Sequence, residues 1–157
     1  MADFHATAVS GLSQRYRMLA DTVRQLAHPL NDDEFWRKPF PFGNSFGHLV
    51  LHLTGNLNYY IGSQIAGSGY VRDRDREFNE KDRPSKAEVL KRFDDAVALV
   101  IQTIEKQTAD DWAKTYSAAR EEDAENRFHI LLRCCTHLHH HVGQMMYLAN
   151  GVKSLET

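Results

Sequence analysis

Two histidines one helical turn apart, His137 and His141, are the residues in this chain best placed to hold a metal ion. They lie in Asn126 to Asn150, NRFHILLRCCTHLHHHVGQMMYLAN, which has the periodicity of one long helix and carries five of the nine histidines. On a helix, an i,i+4 pair has Cβ atoms about 6 Å apart, so two imidazoles can converge on one ion. Ile130, Cys134, Gln144 and Leu148 share their stripe and mark it as inward-facing, whereas His139 points the opposite way and His140 lies to one side. Consecutive histidines also occur on surface helices that pick up metal only adventitiously. A third ligand separates the two cases, because a catalytic zinc-type site takes about three protein ligands plus water.

A second helix offers that ligand. Asn44 or Ser45 caps NSFGHLVLHLTGNLNYYIGSQIA, expected to end near Gly67, with Phe46, Leu49, Val50, Leu53, Leu57, Tyr60 and Ile61 as its core face. His52 sits on the flank of that face, on a strip with Ser45, Asn56 and Tyr59. His48, one turn earlier and turned further toward solvent, is the rival at a poorer angle. His52, His137 and His141 would form a facial three-nitrogen site with open positions, suited to zinc, nickel, iron or copper. Only neutral imidazole binds metal, so affinity is expected to fall below about pH 6.5. Glycines 47, 55 and 62 cost about 1 kcal/mol each against alanine in a helix, a cost compatible with close helix packing.

The rest of the chain must position these two helices. Phe4 to about His28 repeats Leu12, Tyr16, Leu19, Val23 and Leu26 at helical spacing, and Pro29 stops it. Asn31 caps a short acidic turn that holds Trp36, and KPFPFG from Lys38 to Gly43 is a rigid connector. Ser85 with Glu88 reads as a capping box opening a third helix to about Gln107, buried through Val89, Phe93, Val97, Val100, Ile101 and Ile104. Thr108 caps a turn with Trp112, and Asn150-Gly151 is expected to end the last helix with a left-handed cap. Four such helices predict an all-α four-helix bundle, a single domain over residues 1–157. The connections of about 15 to 20 residues leave room for an order other than simple up-and-down. Between Gly67 and Pro84 the charges alternate from Arg72 to Glu77, which composition alone reads as a solvated loop.

Several function classes are disfavoured. A net charge of −2 carries no electrostatic footprint for nucleic acid. No stretch is long and apolar enough to span a bilayer, and the first residues lack the apolar core of a secretory signal. Cys134 and Cys135 are adjacent on a helix and cannot readily pair, which suits a reducing cytoplasm. The apolar arc Leu131, Leu132, Cys135, Leu138, Val142, Met146 and Ala149 exceeds one helix contact and points to a homodimer.

Asn44-Ser45 with LVLHLTGN, then Arg74-x-x-Glu77-Phe78, then His137-x-x-x-His141-x-Gly143-Gln144, resembles the DinB/YfiT-like superfamily of metalloenzymes over essentially the whole chain, closest to a branch of unassigned activity. The resemblance implies a four-helix bundle with a divalent metal held by one histidine of the second helix and an i,i+4 pair of the last. The second-helix ligand falls seven residues after the serine, at His52, and the pair falls on His137 and His141. Val142 stands where the superfamily often has arginine, and Gly143 and Gln144 match, implying helix packing and a polar contact near the site.

The same resemblance implies a metal-dependent transferase acting with a low-molecular-weight thiol, or a metal-dependent hydrolase; a non-enzymatic metal-binding stress-response protein is the third reading. The metal would be zinc, nickel or iron, and its part is to make a nucleophile at neutral pH. A hydrolase wants a general base, and helices two and four hold no carboxylate at ligand-adjacent spacing, which favours the thiol. Asn56 and Tyr59 are expected to line the pocket, with Gln144 an orienting contact.

Overall fold

The computed structural model describes residues 3–155, so residues 1–2 and 156–157 of the expected domain lie outside the described residues. Long helices form where apolar residues repeat every three or four positions: α1 (Phe4–Ala27), α3 (Phe46–Leu57), α5 (Lys86–Glu105) and α6 (Arg127–Ser154). The short helices α2 (Asp32–Trp36) and α4 (Arg74–Asn79) lie in the connections, with a 3-10 turn at Ala109–Ala113. No strand occurs among the described residues beyond an isolated bridge between Thr115 and Asn126. α1 packs on α5 and α6, and α3 packs on the same two helices, so α1 and α3 oppose each other across an all-α four-helix bundle. The long connections are what such an order requires.

Caps fall where side chains can satisfy the orphan amides of a first turn. Asn31 and Glu34 form a capping box, Ser45 accepts from the His48 amide, and Asn126 accepts from the His129 amide. Ser85 caps α5, but Glu88 pairs with Arg92 instead of closing the expected box. Trp36 and Trp112 cover the core and donate their indole N–H groups to the Pro84 carbonyl and to His5 Nδ1.

Two expected helix ends are corrected. The second helix does not run evenly to Gly67: after Leu57 it widens into a π segment, Asn58–Ser63, and its Tyr60 carbonyl accepts from the Tyr116 hydroxyl at 2.9 Å. Gly151 does not end α6. The helix continues to Ser154, and a Cβ on Gly151 would meet Pro39 and Phe40 at 3.0–3.1 Å, so the glycine serves the close approach of the proline connector. Most of the α6 arc read as a dimer face is also used internally. Leu131, Cys135, Leu138, Val142 and Ala149 are buried within the protein, leaving Leu132 and Met146 exposed.

Candidate metal centre

α6 brings His137 and His141 together as the spacing dictates, with ring centroids 4.5 Å apart and nearly perpendicular. Both rings are half-buried on the α3 side of the helix. His139 instead lies 3.5 Å from an Arg15 guanidinium nitrogen on α1, and His140 is exposed. Gln144, one turn beyond His141, accepts from His141 Nδ1 at 2.7 Å. A ring that donates from Nδ1 keeps a lone pair on Nε2. That Nε2 is buried and has no hydrogen-bond partner.

α3 supplies His52, buried, with its ring 5.1 Å from His137 and 5.0 Å from His141. Its tautomer is set from another segment. Glu77 of α4 accepts from His52 Nδ1 at 2.9 Å, and Arg72 grips the same carboxylate with Nε at 2.7 Å and a terminal nitrogen at 2.9 Å. The His52 and Glu77 side chains are each 6% exposed, so this pair acts in a low-dielectric setting where charge-assisted bonds are strong. Phe78 packs on the His52 ring at 4.8 Å, and Arg74 lies over Phe78. Within the segment that composition alone reads as a solvated loop, Arg74–Asn79 is thus a capped helix whose Glu77 is buried against the site.

Gly55 explains how a carboxylate can come so close to α3. A Cβ there would stand 2.0 Å from Glu77 Oε1 and 2.8 Å from its carboxyl carbon. Gly47 gives the same room to Trp36, and Gly62 to Leu99. Sequence reasoning found these glycines without the residues they admit.

With its Nδ1–H donated to Glu77, His52 turns Nε2 inward, 3.0 Å from His137 Nε2. One ring nitrogen from each of the three histidines lies within 4.8 Å of the others. Burial, and then the neighbouring imidazoles, hold His137 down to about 3 and His141 to about 4, so both rings are neutral across the physiological range. Two fixed tautomers, an orphaned buried nitrogen and three converging ring nitrogens fit one transition-metal ion.

His48 does not join them. Contrary to the expectation that it faces solvent, it is buried, bonded to the Ser45 hydroxyl at 2.6 Å and set edge-on to Trp36. Gly143 meets nothing within 4 Å of a built Cβ, so it marks no packing contact. Of the expected pocket residues, Asn56 shares a cavity of about 270 Å³ with His137. Tyr59 lines a different groove with Tyr70, Arg72 and Arg120, and Gln144 reaches the site through His141.

The Asn56 cavity adds what the helices alone did not disclose. Glu121, from the connector before α6, lines it beside His137, Arg133, Cys134, Thr136 and His140. Burial raises the Glu121 carboxyl above its ordinary range, while Arg133 pairs with it. No periodicity marks Glu121, because it lies outside any helix. Burial pushes both cysteine thiols up, Cys134 strongly, so neither is a ready nucleophile.

Bundle and cluster together define a helical protein whose three converging imidazoles can hold a metal ion. The chain belongs to the DinB superfamily, whose family model matches residues 15–145 and so spans all three histidines. Comparison with curated proteins finds no match. None of the described helices is long and apolar enough to cross a membrane.

Proposed function

We propose that His52, His137 and His141 bind one divalent transition ion, zinc, nickel or iron, and that the chain is a transferase acting with a low-molecular-weight thiol. The observation that carries this reading is the buried, unpartnered Nε2 of His141 beside the inward Nε2 of His52 and His137. A divalent ion held by three imidazoles would lower the pKa of a thiol or water in its open positions. The chain's own part is orientation. Glu77 and Arg72 hold His52 in one tautomer, Gln144 holds His141, and the Asn56 cavity offers room for a small ligand against His137. Hydrolysis is the second reading, favoured by Glu121, whose raised carboxyl lies in that cavity as a candidate base.

The test begins with metal analysis of protein purified without a tag or metal column. Metal-loaded and metal-free protein are then offered electrophiles with several small thiols, and esters and amides without thiol. Metal- and thiol-dependent consumption of an electrophile supports the transferase. Metal-dependent hydrolysis without thiol would give the site to the second reading, and stoichiometric metal with no turnover would leave a binding protein.

A further inference from the structure

The cavity beside His137 has a charge pattern that selects a ligand. Arg133 is its one guanidinium, and it is already shared: it pairs with Glu121 on the cavity wall and donates to Asp123 at 2.7 Å. Both partners of that guanidinium are carboxylates, so little of the arginine is free to receive an anion. The remaining polar groups point the same way. Asn56 is 5% exposed, lines the cavity, and its carboxamide oxygen has no hydrogen-bond partner. A ligand N–H would satisfy this buried acceptor. His140, Thr136 and Cys134 complete the lining with His137.

We propose that this cavity is an ammonium subsite, in which Asn56 and the Glu121 carboxylate receive the amino group of a small ligand whose other end lies at the three histidines. The inference rests on the metal reading above and narrows it: the thiol is one that bears a primary amine within a few bonds of sulfur. His137 belongs to both the cavity wall and the histidine cluster, so the two ends of such a ligand meet at that ring.

Three thiols of equal length separate the possibilities: cysteamine, 2-mercaptoethanol and thioglycolate, ending in ammonium, hydroxyl and carboxylate. Binding of each to zinc-loaded protein is measured by calorimetry, after zinc content has been determined on the same sample. Cysteamine is expected to bind about tenfold tighter than 2-mercaptoethanol, the size of one charge-assisted hydrogen bond, with thioglycolate weakest. An ammonium group also acidifies its own thiol, so the ratio is repeated in Glu121→Gln and in Asn56→Leu, which lie on different segments. A ratio that collapses toward that of free zinc in either folded variant supports the subsite. A cysteamine preference unchanged in the folded variants, equal binding of the three thiols, or a preference for thioglycolate overturns it. Protein that takes up none of zinc, nickel or iron sinks the metal reading and this inference together, whereas metal-loaded protein indifferent to the amine sinks the inference alone.

Discussion

His52 and His141 stand 5.0 Å apart, ring to ring, and are held in opposite ways. His141 is steadied by Gln144, three residues further along its own helix, at a half-open surface. His52 is steadied by a buried carboxylate 25 residues away, itself clamped by Arg72, with a glycine on α3 cleared to admit it. A contact within one helix survives as long as the helix does, and water can replace it. A contact between segments must be built by the whole fold, and where it excludes water its loss leaves a charge stranded.

The sharpest break removes the rings. His52→Ala, His137→Ala and His141→Ala are each expected to abolish stoichiometric metal, while His139→Ala and His140→Ala retain it, as read by elemental analysis. Full metal in His52→Ala together with loss in His48→Ala would overturn the assignment.

Next comes the buried clamp. Glu77→Ala strands Arg72 in the interior and frees the His52 ring, so we expect a loss of roughly 3–5 kcal/mol in unfolding free energy of the metal-free protein. Glu77→Gln keeps the volume and lowers metal affinity by roughly 10–100-fold in chelator competition. Gly55→Ala should reach a similar affinity loss by another route, because its Cβ would displace the Glu77 carboxylate. Gly143→Ala, which meets nothing, is the matched control and should gain up to about 1 kcal/mol of helix stability. If Gly55→Ala binds metal as tightly as wild type, Glu77 does not govern His52.

Proton competition tests the two half-buried rings. In the metal-free fold His137 and His141 remain neutral down to about 3 and about 4, while the same histidines in the unfolded chain take up protons near pH 6.5. Below that point the unfolded state binds more protons, so stability falls as pH drops from about 6.5 toward about 4. Urea midpoints at about pH 7.5 and about pH 5 should diverge more in wild type than in His137→Gln. The same burial moves the proton-driven loss of metal below the pH 6.5 expected of free imidazole.

The smallest effect belongs to Gln144→Ala. Water can take its place at His141 Nδ1, so metal affinity should fall by less than about tenfold. A loss as large as that of Glu77→Gln would erase the contrast between the two sides.

Much of this was legible in the residues. Apolar spacing is enough to make the four long helices, and the i,i+4 rule is enough to bring His137 to His141, because both depend only on helical geometry. The flank position of His52 and the burial of both cysteines follow from the same wheel. Tertiary structure alone decided the rest. It buried His48 against Trp36, folded Arg74–Asn79 within the 67–84 segment into helix α4, and brought Glu77 and Glu121 to the histidines from connections that have no period to read. Arg72 to Glu77 show as alternating charge in sequence, and the resemblance marks Arg74, Glu77 and Phe78 without giving them a role, since a buried ion pair is visible only once the partner and the space for it, here the missing Cβ of Gly55, are in place.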